Sequence, residues 1–242
     1  MSQNWKNLFR LFTLSAAITG STATGIVIFD SSEVVAEDKK SISLFDGESL
    51  KGWSGRKDIW SVEDGAIVGT NPENAPVEYN TFLVSDKKVK DFELTLEFKL
   101  NGGNSGIQYR SKLIDADKFI VGGYQADIAD KQYIGINYEE RGRGIIAERG
   151  QIIHIDKDGK RSQVGSSGDS NALLSRIKFD DWNTYRIVAK GNKLQHFIND
   201  ALMCEVLDEE PGKQASEGVL AFQVHQGPPM KVYFRNIKLT EL

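Results

Sequence analysis

Along most of the chain, apolar and polar residues alternate one for one, and a 3.6-residue period is hard to find anywhere. Phe92 to Leu100 is the cleanest case: Phe92, Leu94, Leu96, Phe98 and Leu100 share one side, and Glu93, Thr95, Glu97 and Lys99 share the other. Because successive side chains of an extended backbone point to opposite faces, this segment is a strand with one face on a core and one in solvent. The same pattern predicts strands at Trp60–Glu63, Ala66–Gly69, Gly106–Arg110, Tyr124–Ile128, Gly144–Ala147, Asn183–Lys190, Lys193–Ile198, Leu202–Val206, Gly218–His225 and Lys231–Leu239. Glu63-Asp64-Gly65, Lys190-Gly191-Asn192 and Asn199-Asp200 stand between consecutive strands. Such residues tolerate the positive φ of tight hairpins, so neighbours in sequence are expected to pair antiparallel. Many short strands bury their apolar faces by stacking in two sheets, which makes the prediction an all-β sandwich in one domain. Two long polar connections interrupt it, Asn71–Asn80 and Asp156–Ser175, and long loops on a rigid sandwich are candidate rims of a binding site.

The first part of the 242-residue chain departs from this pattern. Lys6 and Arg10 precede a mainly apolar stretch from Leu11 to Phe29, followed by Val34-Val35-Ala36. This reads as a signal peptide over residues 1–36, a linker over 37–42 and a domain over 43–242, and the expected location is exported, periplasmic or extracellular. Left uncut, the same stretch would be a membrane anchor, although Thr13, Ser15, Thr19 and Thr24 dilute it. Lys and Arg total 30 against 34 for Asp and Glu, a formal charge of -4 without a basic block, so nucleic acid is not an expected partner. The single cysteine, Cys204, excludes an internal disulfide framework and reads as a small apolar strand residue. A nucleophile elbow, a P-loop, a dinucleotide fingerprint, a His-Glu-x-x-His motif and an EF-hand loop are all missing from the sequence.

The polar side of the pattern has an unusual composition. If the strands share a sheet, one face collects Glu97, then Gln108 and Arg110, then Gln125 and Asp127, then Gln223 and His225. A solvated sheet favours Thr, Lys, Glu and Ser, whereas this set is rich in groups that make directed hydrogen bonds, which the dense hydroxyls of a carbohydrate require. The alternative is a wet sheet covered by cross-strand pairs. Asn104, in Gly102-Gly103-Asn104-Ser105-Gly106, opens one of these strands where glycines permit close backbone approach. Tyr138-Glu139-Glu140-Arg141-Gly142-Arg143 is placed to supply a carboxylate held by an arginine, or is a solvated charge run. His225, just before Gly227-Pro228-Pro229, is the histidine favoured as acid or base; His154 and His196 are expected on ordinary exposed faces. Trp53 and Trp60 are expected in the core rather than stacked on a sugar.

Taken in order, Leu44–Trp53, Trp60–Gly69, Asp91–Leu100, Asn104–Arg110, Gly123–Ile128, Trp182–Arg186 and Phe234–Ile237 resemble the 3-keto-disaccharide hydrolase family, formerly a domain of unknown function. The resemblance runs from about Ser43 to Leu242. It implies a concanavalin A-like jelly roll of two antiparallel sheets and an exported bacterial enzyme acting on oxidised glycosides. A ketone at C3 acidifies the C2 proton and makes the glycosidic oxygen at C1 a β leaving group, so elimination followed by hydration becomes accessible. Such a reaction requires a base near C2, a donor at the C3 carbonyl and an acid near the glycosidic oxygen. The expected roles are His225 or Asp127 as base, Arg110 as electrophilic partner and Glu97 as acid. Asn104, Gln108, Gln125, Tyr138, Glu140 and Gln223 are expected to hold the substrate. A divalent metal ion, held by Asp127, Glu140 and His225, is an alternative way to polarise the carbonyl, although no compact ligand spacing supports it. A carbohydrate-binding module without catalysis is the competing function.

Overall fold

The computed structural model describes residues 40–242, and the segment read as a signal peptide lies outside the described residues. The described chain is almost entirely β. Its strands are β1 (Ser41–Ser43), β2 (Trp53–Ser54), β3 (Trp60–Glu63), β4 (Ala66–Asn71), β5 (Thr81–Val89), β6 (Phe92–Asn101), β7 (Ser105–Asp115), β8 (Ile120–Ile128) and β9 (Asn137–Glu140). They continue as β10 (Gly144–Ala147), β11 (Gln151–Ile155), β12 (Arg161–Ser166), β13 (Asn183–Lys190), β14 (Lys193–Ile198), β15 (Ala201–Asp208), β16 (Gly218–Val224) and β17 (Met230–Glu241). One short helix, α1 (Ser170–Leu174), lies between β12 and β13, its first turn capped by the Asp169 carboxylate.

Two sheets stack face to face, as the alternation predicts. The large sheet runs β12-β11-β15-β14-β13-β6-β17-β4-β3, with β1 on β17, and the small sheet runs β10-β9-β8-β7-β16-β5-β2. Pairing is antiparallel throughout except between β11 and β15. Hairpins form where the sequence places them: Asp64 and Gly65 turn β3 into β4, and Asn199 and Asp200 turn β14 into β15, all four at positive φ. The core fills the space between sheets with the inward half of each alternation, including Leu94, Leu96 and Phe98 from β6, Ile107 from β7, Phe222 and Val224 from β16, and Phe234 from β17. Trp53 and Trp60 join it, and Cys204 is buried in β15.

Three expectations about local structure change. Ser41, assigned to the linker, already pairs with Thr240 in β1. The connection Asp156–Ser175 is no open rim, because β12 and α1 occupy it; β12 is an exposed edge strand with no apolar face to mark it. His196 is fully buried rather than exposed. Its parity matches Leu194 and Ile198, so it points into the core, where Tyr109 Oη lies 2.9 Å from Nε2 and the Ile136 carbonyl 3.3 Å from Nδ1. Burial pushes its pKa down to about 3, so the neutral ring donates through Nδ1 and accepts through Nε2.

Candidate active site on the small sheet

The outward half of the small sheet builds the site. Ile107, Ala126, Ile128, Phe222 and Val224 point into the core, so Gly106, Gln108, Gln125, Asp127 and Gln223 fall on the opposite face. Register aligns them in rows. Gln108 pairs with Gln125, which pairs with Tyr138, while Gly106 pairs with Asp127. Phe222 pairs with Ile107, so the next step along β16 sets Gln223 opposite Gly106. One row further on, Gly123 pairs with Glu140. A small second apolar cluster, Phe82, Val84, Val121 and Ala221, flanks the rows on the same face.

A directed chain of hydrogen bonds runs through these rows. The Ser111 hydroxyl donates to Gln108 Oε1 at 2.6 Å, Gln108 Nε2 donates to Gln125 Oε1 at 2.7 Å, and Gln125 Nε2 donates to Asp127 Oδ1 at 2.6 Å. Gly106 makes room for it, since a Cβ there would lie 2.5 Å from Gln125 Cδ. The chain leads to a carboxyl buried to 5% exposure. Burial, partly opposed by the Gln125 hydrogen bond and reinforced by the nearby Glu140 charge, pushes the Asp127 pKa up to about 8. Asp127 is therefore protonated at neutral pH. The Tyr138 phenol is pushed up as well, first by burial and then by the charges of Glu140 and Asp127, so it remains a donor.

Beside this fixed chain stand polar groups that the protein does not satisfy. Both Oε1 and Nε2 of Gln223 are buried without a hydrogen-bond partner among the described residues, and so is Oδ1 of Asn104. A buried amide with neither end matched costs roughly 1–3 kcal/mol, and such a group on a functional face is suited to a ligand that brings its own donors and acceptors. The half-buried His225 follows β16 directly, with Nδ1 against the carbonyl of Gln226.

The connection Asn71–Asn80 does form a rim, fastened by its two end residues. Asn80 Nδ2 donates to Glu140 Oε1 at 3.2 Å, and Asn80 Oδ1 accepts from the Gln226 amide at 3.0 Å. Asn71 Nδ2 lies within 3.1–3.3 Å of the carbonyls of His225, Gly227 and Pro228, and its Oδ1 accepts from the Val77 amide at 2.8 Å. Asn71, Asn80 and Ser111 are thus site-shaping residues beyond the sequence expectation. The loop boundaries were visible in the sequence, but its connections across more than 100 residues were not.

Two expected members lie elsewhere. Glu97 is on β6 of the large sheet, where its carboxylate accepts from Arg235 Nε at 2.6 Å and from Asn236 Nδ2 at 3.1 Å. Period two gives the face of a strand but not the sheet to which it belongs. Arg110 sits at a bulge with φ +48, which turns its side chain out of the alternation. The buried guanidinium donates to the carbonyls of Lys90 (2.5 Å) and Gly191 (2.7 Å) and to the Asp91 carboxylate (2.8 Å), fastening connections rather than facing a substrate. In the charged run, Arg143 holds Glu139 at 2.5 Å, Asp208 at 2.6 Å and Glu210 at 2.9 Å, which leaves Tyr138 and Glu140, now within β9, to face the rows. Among the described residues no three His, Cys, Asp or Glu side chains are arranged to hold a metal ion. Asp127, Glu140 and His225 thus do not fit that role.

The two stacked, mostly antiparallel sheets define a concanavalin A-like sandwich. A candidate glycosyl hydrolase from Parabacteroides distasonis aligns with a TM-score of 0.54 at 21% identity, covering 84% of this chain and 100% of that one. A Bacillus subtilis protein with a galectin-like fold aligns with a TM-score of 0.55 at 13% identity, covering 84% and 94%. At these identities the likeness shows the fold. The sequence model of the 3-keto-alpha-glucoside-1,2-lyase-like domain matches residues 40–240, and the chain belongs to that family. A 3-keto-disaccharide hydrolase from Bacteroides thetaiotaomicron is 35% identical over 206 residues, an alignment covering 78% of this chain and 66% of that protein. The chain thus spans just under two thirds of that relative's length.

Proposed function

We propose that this protein cleaves 3-keto-glycosides by elimination across C1–C2 followed by hydration, on the outer face of the small sheet. The observation that carries the proposal is that one sheet face holds both Asp127, buried and pushed up to about pKa 8, and the half-buried Glu140, whose charge adds to that rise. Carboxyl groups held in different environments are suited to opposite proton-transfer roles. Glu140 takes the C2 proton, and Asp127 gives its proton to the glycosidic oxygen as the C1–O bond breaks. The products are an alcohol and a sugar with a C1–C2 double bond conjugated to the C3 ketone. Water then adds its oxygen at C1 and a proton returns to C2, regenerating the 3-keto sugar. Tyr138 and the unmatched amide of Gln223 supply donors for the C3 carbonyl and adjacent hydroxyls, Asn104 contributes an acceptor, and His225 stands at the rim. In this reading Tyr138 and Gln223 take over the electrophilic role first expected of Arg110, and Asp127 the acid role expected of Glu97.

The test is incubation of the protein with 3-keto-glucosides and with their unoxidised parents in D2O. Release from the keto substrates alone, with deuterium at C2 of the product, is the expected result. Equal cleavage of the parents, or product without deuterium, refutes the mechanism, and saturable binding with no release would leave a carbohydrate-binding module. The proposal includes export, on the strength of Lys6, Arg10, the apolar stretch Leu11–Phe29 and Ala36. A mature N-terminus at Glu37 in the expressing cell is the expected observation.

A further inference from the structure

We propose that His196 of the large sheet is a positioning residue for the acid on the small sheet: through the core it holds the peptide that holds Asp127. This rests on the proton-donor role given to Asp127 above, while the hydrogen bonds involved run entirely behind the candidate site.

Every direction in this set of bonds is forced by chemistry. The Ile136 carbonyl can only accept, so the proton of the neutral His196 ring is on Nδ1, 3.3 Å away. Nε2 is then an acceptor, and the Tyr109 hydroxyl at 2.9 Å donates to it. The phenol oxygen in turn accepts from Asn137 Nδ2 at 3.0 Å. The path leaves β9 at Asn137, crosses β7 and β14, and returns at the carbonyl of Ile136, the residue just before β9. That same carbonyl accepts from the Asp127 amide at 3.3 Å, and the Asp127 carbonyl accepts from the Gly135 amide at 3.1 Å. An apolar side chain at 196 would leave the Ile136 carbonyl to the Asp127 amide alone.

Position along the strands ties this path to the site. Tyr109 and Asn137 are buried neighbours in sequence of Gln108 and Tyr138, which face outward, so a shift in the inner row moves the outer row with it. Past Glu140, Arg143 ties the chain to the large sheet a second time, at 2.6 Å from Asp208 of β15. Loss of the His196 donor therefore loosens the Asp127 end of β9 and leaves the Glu140 end held.

The ring does not titrate where the acid does. Its titratable neighbours are Tyr109 on β7, Tyr185 on β13, Cys204 on β15 with Sγ 3.6 Å from Nδ1, and Tyr124 stacked behind Tyr109. All four are held neutral, chiefly by burial, which also keeps the His196 pKa down at about 3. A changed Asp127 titration on altering His196 thus reports position and not a lost charge.

Two substitutions separate the two bonds of the ring. His196→Asn puts an amide N–H near the place of Nδ1 and keeps a donor for Ile136, whereas His196→Gln reaches the place of Nε2 and keeps only the Tyr109 contact. Each leaves a buried group unmatched, so both should lower the melting temperature alike. The Asp127 pKa can be read without turnover, from the infrared band of its protonated carboxyl, identified by its absence in Asp127→Asn. For His196→Gln the expected result is a fall of about one pH unit or more in that pKa as water reaches the carboxyl. Its kcat on a 3-keto-glucoside should fall about tenfold or more while KM stays within about twofold. His196→Asn should keep the wild-type Asp127 titration and stay within about threefold in kcat. Equal shifts of the Asp127 pKa in both variants, or none in either, overturn the assignment. Should neither variant fold, NMR of the wild-type ring nitrogens decides: Nδ1 protonated and Nε2 bare across the Asp127 titration is expected, and the opposite tautomer overturns the assignment. If the titration and the tautomer behave as stated while wild type releases no sugar, the function proposed above fails and the positioning of Asp127 stands.

Discussion

On the outer face of the large sheet, the half-exposed carboxylate of Glu97 meets Arg235 Nε at 2.6 Å, and Lys99 Nζ lies 4.4 Å from the Tyr233 ring centroid. On the outer face of the small sheet, Gln108, Gln125, Asp127 and Gln223 are each no more than 5% exposed, and one of their amides has no partner. Both faces are polar, and both come from the same period-two alternation. The first resolves its charges locally: every group has solvent or an opposite charge beside it, and such exposed pairs contribute about 0–1 kcal/mol. The second removes polar groups from water, fixes some in a chain and leaves others unmatched, which costs stability that apolar residues would have retained. The difference separates a sheet face whose polar groups are solvated or paired from one whose polar groups are buried and partly unmatched.

Substitutions on the two faces should therefore behave differently. Asp127→Asn keeps the shape and removes the proton, so turnover of a 3-keto-glycoside should fall at least about 100-fold while the melting temperature changes little. Gly106→Ala places a Cβ where the Gln125 side chain now lies and breaks the chain to Asp127. Overpacking of this kind should destabilise by about 1–3 kcal/mol, measured by urea unfolding, with activity reduced through kcat more than through KM. Gln223→Leu should do the reverse for stability. It removes a buried unmatched amide, so unfolding should become harder by about 1–3 kcal/mol while kcat/KM falls; a loss of stability instead would show that the amide has a structural partner. Glu97→Gln, on the other face, should leave kcat/KM unchanged and stability within about 1 kcal/mol of wild type, and a large activity loss there would erase the contrast between the faces.

Much of this fold was legible in the sequence because strand alternation and hairpin residues are local signals. Phe92–Leu100, Asp64-Gly65 and Asn199-Asp200 each specify their geometry within a few residues. The common face of Gln108, Gln125, Asp127 and Gln223 was legible too, since they do lie together on the small sheet. What was not legible was long-range. Whether β6 joins β7 in one sheet is decided by pairings with β13 and β17, more than 80 residues away in sequence, and alternation alone does not reveal that Glu97 lies on the other sheet. A bulge at Arg110 is a single positive-φ residue with no glycine to announce it. The supports Asn71, Asn80 and Ser111 are small polar residues of the kind any loop or strand end carries, and only their partners distinguish them.

The most direct test of the account is the dependence of kcat/KM on pH for wild type and Asp127→Asn with one 3-keto-glycoside. Burial raises the folded-state pKa of Asp127 to about 8, so the proton it donates is present below that pH and lost above it. The account predicts a wild-type rate that falls as pH rises through about 8, and a residual rate in Asp127→Asn that lacks this descending limb. A wild-type rate that instead climbs across pH 8, or an Asp127→Asn variant that retains the wild-type profile, would contradict it.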